Sequence, residues 1–367
     1  MTVIGTDRPG CYAWTAQQPP PEQDWLHELG ADEAAELERA LRHLLATGRS
    51  DLDTTRDDFP LPTLGPRLRR IMAGLESGPG FAVVRGFPVE HLTEAEVRRL
   101  YWGVGLHMGV ALAQTYEGRM IADVRDHGGG SDAARRGYGS TADIQFHVDS
   151  CDVVGLLCRR TAKEGGESLL CSSLAVRDEV ARTRPDLLEV LYEPLPYIKV
   201  GVRGPDERPF WLCPVFGERD GCFTSRFFRA RMLATQEMEG APRLTRRQIE
   251  AIDMVEEVSK RTSIWLDFRV GDLQLVNNHV VYHARTGFDD WPEQDRKRHL
   301  LRLWLASPEG RPLPESFADV WKVVEPATVR GGVSAFEVGE ELAAYQRRCA
   351  GVFGMRSGLD APAPGAA

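Results

Sequence analysis

The 367-residue chain carries a net charge of −9, with 42% apolar and 27% charged residues. This acidic balance disfavours a nucleic-acid-binding protein, because phosphate binding requires a basic face. The N-terminus lacks the basic and apolar segments of a secretory signal, and no run of about 18 apolar residues predicts a membrane span. Seven scattered cysteines without a CxxC pair favour reduced thiols in the cytoplasm. We therefore expect a globular protein whose partner is a small molecule.

The first predicted elements are two helices and a strand. Residues 1–30 are rich in Pro and Gln and predict irregular structure, whereas the periodic pattern of 31–46 predicts a helix. The segment "GFAVVRGF" is bounded by glycines and predicts a buried strand. Thr93 and Glu96 have the capping-box spacing, so a second helix is expected to start there.

A Gly-rich polar segment at 125–141 predicts a mobile loop, and short strands dominate the chain after it. We predict strands at 143–148, 152–159, 168–172, 209–216, 222–228, 262–268, 273–276, 279–284 and 298–306. Two helices interrupt them, at 174–192 and at 245–259, and Thr245 and Gln248 form a capping box at the start of the second.

Many short strands separated by Gly and Asp turns favour a closed or double-sheet architecture. The expected fold class is therefore mainly β with flanking helices. We expect three segments: an N-terminal helical and irregular extension at 1–77, a β-rich domain at 78–310, and a C-terminal extension at 311–367 with a disordered tail.

Metal-capable side chains occur in two of the predicted strands. In "QFHVDSCDVVGLLC", His147 and Asp149 are two residues apart, so their side chains point to the same side of a strand. In "QLVNNHVVYHARTGF", His279 and His283 also share a face if the segment is a strand, as its Val and Tyr content favours. Two histidines and one carboxylate make a facial triad that suits non-haem Fe(II). On a helix, the same two histidines would suggest a zinc site.

The segment "DRKRHLLRLWLA" adds two arginines to one face of a strand. Alternation puts Arg298 and Arg302 on the same side, together with Leu300 and Trp304. The apolar flanks predict a strand that is buried on both faces. Buried guanidinium groups are unfavourable unless an anion meets them, so a bound carboxylate is favoured over a pair facing solvent.

Five segments then follow one another in a fixed order: "GFAVVRGF", "FHVDSCDVVGLLC", "GGES", "NNHVVYHART" and "RHLLRLWL". Together they resemble the Fe(II)/2-oxoglutarate dioxygenases of the taurine dioxygenase/clavaminate synthase (TauD/TfdA) type, over roughly residues 78–310. The resemblance implies a double-stranded β-helix core, which is a cupin-like jelly roll. It also implies Fe(II), the cosubstrate 2-oxoglutarate and O2.

The resemblance implies an iron-binding role for His147, Asp149 and His283. His283 matches the family's distal ligand better than His279, because a small residue and then an arginine follow it. Halogenating relatives replace the carboxylate ligand with a small residue. Since Asp149 is present, the implied outcome is hydroxylation or a related oxidation.

The resemblance also implies the residues that bind 2-oxoglutarate. Arg298, fifteen residues after His283, matches the arginine that binds the distal carboxylate. Ser168, in "GGES", stands where relatives often carry a threonine that hydrogen-bonds the same carboxylate. Arg302 matches a second arginine that faces the active site.

Candidate substrate residues come from three segments. They are Gln145, which alternation puts on the face of His147; Arg226 and Phe228 in "CFTSRFFRARM"; and Arg135, Arg136 and Tyr138 in the loop at 125–141. The loop either closes over the site or is a solvated surface loop. The "CFTSRFFRARM" segment either lines the pocket or is ordinary strand and surface. We expect a small anionic or amino-acid-like substrate, in secondary metabolism.

Two other functions stay open at this point. A cupin-like protein could bind a metal or small molecule without turnover, although it would not need two buried arginines. A zinc hydrolase could use His279 and His283, although no HExxH glutamate lies nearby to act as a general base. His107, His127 and His299 are expected not to bind a metal.

Overall fold

A computed structural model of the chain describes residues 10–115, 117–128, 139–199, 208–333 and 339–358. Its α-helices are α1 (Ala31–Thr47), α2 (Leu64–Ser77), α3 (Glu94–Gly105), α4 (Ser173–Thr183), α5 (Pro185–Leu191), α6 (Arg229–Leu233), α7 (Arg246–Thr262), α8 (Ala318–Trp321) and α9 (Glu340–Phe353). Short 3-10 helices lie at Glu22–Asp24, Arg56–Asp58, Ala234–Glu237 and Glu315–Phe317.

The strands fall into three stretches of the chain. The first are β1 (Leu26–Glu28), β2 (Phe81–Arg85), β3 (Val110–Leu112), β4 (Ile121–Val124), β5 (Ile144–His147), β6 (Val153–Arg160), β7 (Glu164–Gly165) and β8 (Ser168–Ser172). The next are β9 (Leu195–Ile198), β10 (Phe210–Cys213), β11 (Phe216–Arg219) and β12 (Cys222–Ser225). The last are β13 (Ile264–Leu266), β14 (Leu273–Asn277), β15 (Val281–Arg285), β16 (Phe288–Asp289), β17 (His299–Ala306), β18 (Thr328–Val329) and β19 (Arg356–Ser357).

Two sheets frame the molecule. The larger has seven strands in the order β1-β2-β14-β6-β17-β3, with β4 also paired to β17, and the smaller has the order β13-β8-β15-β5. Around the site the chain alternates between the two sheets, since β5 and β15 belong to the smaller sheet whereas the adjacent strands β6 and β14 belong to the larger. The metal-capable strands β5 and β15 are therefore neighbours, and β17 faces them from the other sheet.

Both predicted capping boxes form. The Thr93 Oγ1 accepts a hydrogen bond from the Glu96 backbone, and Glu96 accepts one from the Thr93 backbone at 2.8 Å. Thr245 and Gln248 make the same pair of bonds at the start of α7. The two helices begin where the sequence predicts, because these side chains satisfy the amide groups that a helix leaves free at its N-terminus.

Prolines divide two elements that the sequence predicts as continuous. The helix expected at 174–192 is broken at Arg184, because Pro185 lacks the amide needed to continue it and instead starts α5. The strand expected at 209–216 is broken around Pro214 into β10 and β11. The strand expected at 222–228 ends at Ser225, so Arg226 and Phe228 lie beyond β12.

The flanking segments pack on the sheets instead of lying apart from them. Strand β1 pairs in parallel with β2, and helix α9 places Tyr345 against Trp102 of α3 with their ring centroids 5.4 Å apart. One hydrophobic cluster includes buried residues from Trp14 to Met355. The architecture is mixed α/β with many strands, and helices flank the sheets as expected. The boundaries at 77 and 310 stay a prediction.

None of the helices in the described ranges combines the length and the apolar character that a membrane crossing needs.

Candidate active site

The end of β5 and the middle of β15 bring three metal-capable side chains together. His147 ends β5 and pairs with His283 across the two antiparallel strands, and Asp149 follows two residues later. One potential ligand atom of each residue lies within 4.8 Å of those of the other two. All three side chains are buried. A single cation can therefore contact all three.

Hydrogen bonds orient these side chains. The Nδ1 atom of His147 lies 2.8 Å from the carbonyl oxygen of Gln145, which leaves Nε2 for a metal. Trp304 donates its indole N–H to the Asp149 Oδ2 at 2.9 Å. The His283 Nε2 lies 3.8 Å from that oxygen, and its buried Nδ1 has no partner in the described part of the chain. Among the described residues, neither the His147 Nε2 nor the His283 Nε2 makes a hydrogen bond to another protein group, so both are available to a metal.

The protonation states suit a ligand set for Fe(II). Burial lowers the pKa of His147, and burial together with His147 lowers the pKa of His283 to about 3. Burial opposes ionisation of Asp149, but Arg302 and the two imidazoles outweigh it and lower the pKa of Asp149 to about 2. Two neutral imidazoles and one carboxylate are the forms that bind Fe(II), so the residues fit this ion.

His279 lies outside the triad. Its segment is a turn, since β15 begins only at Val281, and its imidazole is fully buried. The Nε2 atom lies 2.8 Å from the Asp152 Oδ1, and Nδ1 lies 3.2 Å from the Thr224 Oγ1. Both ring nitrogens are engaged, so a zinc site built on His279 and His283 has no basis in the structure.

Four polar side chains line one side of the cavity beside the triad, and we call them the cosubstrate group: Ser168, Gln274, Arg285 and Arg298. The Ser168 hydroxyl donates to the Gln274 Oε1 at 2.7 Å. The Gln274 Nε2 and the Arg298 Nη1 are buried and have no hydrogen-bond partner among the described residues. Burial lowers the pKa of Arg298, and burial together with Arg298 lowers the pKa of Arg285 to about 10. Both remain cationic at neutral pH and can bind an anion.

Arg302 lies against the triad. Its Nη1 is 3.3 Å from the Asp149 Oδ2, and its Nε donates to the Gln114 Oε1 at 2.7 Å. The Gln114 Nε2 in turn donates to the Arg302 carbonyl oxygen at 2.7 Å. Arg302 lines the cavity as the sequence predicts, but its guanidinium meets a carboxylate of the protein itself.

The two candidates from "CFTSRFFRARM" take different positions. Phe228 lines the cavity, and its ring centroid lies 4.9 Å from that of His147. Arg226 is buried behind the wall, where its Nη2 donates to the Ser150 Oγ at 3.3 Å. Its guanidinium carbon lies 5.7 Å from the centroid of the Trp211 ring. Ser150 and Trp211 both line the cavity, so Arg226 can act on it only through them.

Gln145 points away from the cavity, contrary to the alternation argument. Its side chain is exposed, and Ile144 lines the cavity instead. The reason is a bulge in β5. His147 pairs with His283 and Ile144 pairs with Arg285, so β5 uses three steps where β15 uses two. The extra residue in β5 reverses which side chains face the cavity before the bulge, and Ile144 takes the place expected for Gln145. Arg135, Arg136, Tyr138 and most of the predicted loop at 125–141 lie outside the described residues.

Further lining residues escaped the sequence analysis. These are Lys199, Trp211, Arg231, Gln274 and Lys322, which come from five separate segments. The sequence does contain a signal for Gln274. It is the one amide side chain in the apolar strand segment "LQLV", and a buried amide needs a hydrogen-bond partner that this segment does not supply. No local pattern links the other four to the triad.

A second cluster contains Glu94, Asp123 and His299, whose ligand atoms also lie within 4.8 Å of one another. Arginines already occupy it. Arg98 donates to Asp123, and the Arg125 Nη1 lies 3.4 Å from the Glu94 Oε2. The His299 Nε2 lies 2.7 Å from the Asp123 Oδ1. This is a network of ion pairs, and the absence of a metal at His299 stays a prediction.

Comparison with known proteins identifies the family. A family profile described as "Taurine catabolism dioxygenase TauD, TfdA family" matches residues 38–304. The chain belongs to this family. The FR-33289 synthase of Streptomyces rubellomurinus (strain ATCC 31215) is 31% identical to this dioxygenase over 319 residues, which cover 84% of this chain and 93% of the synthase.

Two solved structures share the fold of this dioxygenase. Asparagine oxygenase in complex with Fe(II), 2S,3S-3-hydroxyasparagine and succinate has a TM-score of 0.60 at 19% identity, over 77% of this chain and 93% of that one. The non-heme iron oxygenase OrfP in complex with Fe and alpha-ketoglutaric acid has a TM-score of 0.59 at 17% identity, over 77% of this chain and 95% of that one.

Family membership settles the class of reaction. The protein is a dioxygenase that uses Fe(II), 2-oxoglutarate and O2. The resemblance drawn from the five sequence segments is confirmed, and the alternative of a metal-binding protein without turnover finds no support.

Proposed function

We propose that the dioxygenase hydroxylates an unactivated C–H bond of a small anionic or amino-acid-like molecule, with His147, Asp149 and His283 as the iron ligands. The observation that carries the proposal is the position of this triad in one cavity with the buried Arg298. The amino-acid part of the proposal is supported by solved structures that share the fold, which are complexes with 2S,3S-3-hydroxyasparagine and with L-Arg.

The cosubstrate group is proposed to hold the distal carboxylate of 2-oxoglutarate. Arg298 offers its free Nη1 as a charged donor, and Gln274 offers its free Nε2 as a neutral one. Ser168 acts partly through Gln274. Its hydroxyl donates to the Gln274 amide oxygen and so leaves the amide N–H of Gln274 available to the carboxylate of 2-oxoglutarate. Arg285 adds a second positive charge on the same side of the cavity.

The chain's own contribution is positioning and protection from water. Bound Fe(II) supplies the activation of O2, coupled to decarboxylation of 2-oxoglutarate to succinate and CO2 and to oxidation of the substrate. Trp304 and Arg302 hold the Asp149 carboxylate in place. Phe228 packs against His147, and apolar side chains such as Leu156 and Leu300 line part of the cavity wall and limit access of water there.

The fold and the cellular setting complete the proposal. We infer that the two sheets form a double-stranded β-helix of the jelly-roll, cupin-like type, supported by the alternation of successive strands between them. We also infer a cytoplasmic location, supported by the seven cysteines, all of which are free thiols.

The experiment that tests the cosubstrate assignment replaces Arg298 by alanine. Anaerobic titration of the Fe(II)-loaded protein with 2-oxoglutarate produces a weak visible charge-transfer band. A charge-assisted hydrogen bond contributes about 1.5–3 kcal/mol, so loss of a two-bond contact raises the Kd for 2-oxoglutarate about 100-fold or more. Arg296→Ala is the matched control, because Arg296 is about half exposed and stacks on Trp291.

Two results contradict the proposal in different ways. No band in the wild-type protein refutes the iron and 2-oxoglutarate site as assigned. A band in the wild type with an unchanged Kd in Arg298→Ala refutes only the role of Arg298.

A further inference from the structure

A short two-stranded ribbon, formed by β7 and β16, lies beside the cosubstrate group. The ribbon continues the pair of strands β8 and β15, in which Ser168 and Arg285 of the cosubstrate group are direct cross-strand partners. Its main chain is fixed to those strands, since the Gly166 N–H donates to the Gly287 carbonyl oxygen at 3.0 Å. The position of the ribbon is therefore set by the strands that carry two members of the cosubstrate group.

Arg298 packs against this ribbon and the turn that follows it. Its backbone N–H donates to the Asp290 Oδ1 at 2.7 Å. Its guanidinium carbon lies 5.2 Å from the centroid of the Phe288 ring, and its Nη2 lies 3.5 Å from the Gly166 carbonyl oxygen. The side chain has little room to move away from these neighbours, because Arg298 is only 5% exposed and its surroundings are packed.

Gly166 lies where the ribbon meets the Arg298 side chain. A Cβ atom on Gly166 would lie 3.0 Å from the Arg298 Nε, 3.3 Å from the Arg298 Cδ and 3.3 Å from the Phe288 Cβ. These distances are shorter than ordinary van der Waals contacts, so the neighbours would have to move by a few tenths of an ångström. Because Nε and Cδ lie in the middle of the arginine side chain, the guanidinium group would move with them.

We propose that Gly166 is a positioning residue for 2-oxoglutarate, because the absence of a side chain lets Arg298 pack on the ribbon with its guanidinium facing the distal carboxylate. The hydrogen bonds between a guanidinium and a carboxylate depend on the distance and the orientation of both groups. A displacement of Arg298 by even a fraction of an ångström therefore weakens them. This inference deepens the proposed function and rests on it, since it assumes that Arg298 binds 2-oxoglutarate.

The backbone of Gly166 gives a simpler explanation, in which glycine serves only the turn. Its φ of +76° is in the left-handed region, which other residues adopt at a cost. Gly240 separates the two explanations, because its φ is also +76° but a Cβ atom there would meet no atom within 4 Å. Alanine introduces similar backbone strain at both positions, whereas only alanine at position 166 would displace Arg298.

Anaerobic titration of the Fe(II)-loaded variants with 2-oxoglutarate, followed by the visible charge-transfer band, tests the proposal. We expect the Kd for 2-oxoglutarate to rise about five-fold or more in Gly166→Ala, because the charged donor is misplaced. In Gly240→Ala it should stay within about two-fold of the wild type, since no contact with the site changes. An unchanged Kd in Gly166→Ala, or an equal rise in Gly240→Ala, overturns the proposal.

A double-mutant cycle with Arg298→Ala identifies the residue through which Gly166 acts. If alanine at position 166 acts by displacing Arg298, it should change the Kd by less than about two-fold in the protein that already lacks this arginine. A general effect on the ribbon, or an effect through Ser168, would raise the Kd by the same factor with and without Arg298. Equal factors in the two backgrounds therefore reject the positioning role.

Asparagine provides a second substitution in case Gly166→Ala does not fold. Asparagine adopts the left-handed region more readily than alanine but carries the same Cβ atom. Gly166→Asn is therefore expected to fold and to show the same rise in Kd, with Gly240→Asn as its control. Urea unfolding reports whether each variant is folded. If neither variant at position 166 folds while both variants at position 240 do, Gly166 is required for the fold and the positioning role is rejected.

The two proposals fail separately in these measurements. Absence of the charge-transfer band in the wild type removes the iron and 2-oxoglutarate site, and the role of Gly166 with it. A normal band in the wild type with a raised Kd in Arg298→Ala and an unchanged Kd in Gly166→Ala removes the role of Gly166 alone.

Discussion

Trp304 is expected to control the affinity for iron without contacting the metal. Its indole N–H donates to the Asp149 Oδ2 at 2.9 Å, and its ring is buried in the cavity wall. In Trp304→Phe most of the ring remains, but the carboxylate loses its shortest side-chain hydrogen bond and, among the described residues, keeps Arg302 as its side-chain donor, at 3.3 Å and 3.4 Å. A hydrogen bond to a charged group contributes about 1.5–3 kcal/mol, which corresponds to about a 10- to 150-fold change in Kd. Because Arg302 can move closer, we expect the loss in Fe(II) affinity to be about 10- to 100-fold.

The assay is an anaerobic Fe(II) titration in saturating 2-oxoglutarate, followed by the visible charge-transfer band. Trp102→Phe is the control, because Trp102 is equally buried in the protein but its Nε1 has no acceptor among the described residues. The control is expected to bind Fe(II) within about two-fold of the wild type, since it loses no hydrogen bond. Wild-type affinity in Trp304→Phe, or an equal loss in Trp102→Phe, refutes the reasoning.

Three further outcomes follow from buried polar contacts. Gln274→Leu removes a free amide donor from the cosubstrate group. When the Fe(II)-loaded variant is titrated with 2-oxoglutarate, the Kd for 2-oxoglutarate should be about ten-fold higher than in the wild type; an unchanged Kd rejects the role of Gln274. Burial lowers the pKa of His279 to about 4, from an ordinary value of 6.5, so stability should fall as the pH decreases through this window. In urea unfolding of His279→Gln, the free energy of unfolding should change with pH less steeply than in the wild type, by up to about 1.4 kcal/mol per pH unit. The same pH dependence as in the wild type contradicts this. Glu36 accepts hydrogen bonds from the Thr63 and Leu64 amides at the start of α2, at 2.8 Å and 3.1 Å. Glu36→Ala should therefore lower the free energy of unfolding by about 3 kcal/mol, whereas the exposed Glu38→Ala should change it by less than about 0.5 kcal/mol.

The direction of the His279 prediction follows from which state binds the proton. The unfolded chain protonates this imidazole near pH 6.5, whereas the folded protein resists protonation until about pH 4, because burial disfavours the charged form. Between these values the unfolded state binds more protons, so acidification favours unfolding. Asp152 adds to the effect at lower pH. Burial raises its pKa, but Arg330 and His279 outweigh burial and bring it to about 2.

Arg302 illustrates how a sequence can predict the face on which a residue lies and leave its role undecided. Strand alternation and the family resemblance both bring it to the active-site face, and it does line the cavity. The structure adds that Gln114, from a segment nearly two hundred residues earlier, binds its Nε and directs the guanidinium toward Asp149. That contact depends on the pairing of β17 with β3 and β4, which no local pattern predicts.

The sequence by itself indicated the three proposed iron ligands, because each stands in a short motif of its own, whereas the pairing of β5 with β15 brings the motifs together. His147 and Asp149 are two residues apart, and His283 stands in a motif whose distance to Arg298 is characteristic of the family. The capping boxes of α3 and α7 were predictable for the same reason, since each involves residues only three apart.

Only the tertiary structure decided the rest of the cavity. A single extra residue in β5 turned Gln145 to solvent, which alternation along one strand does not predict, because the bulge arises from pairing with β15. Lys199, Arg231 and Lys322 come from segments without a shared motif, and the fold places all three in the cavity lining. A cavity lining is assembled from distant segments, so local motifs indicate the proposed iron ligands, whereas only the tertiary structure shows which other side chains surround them.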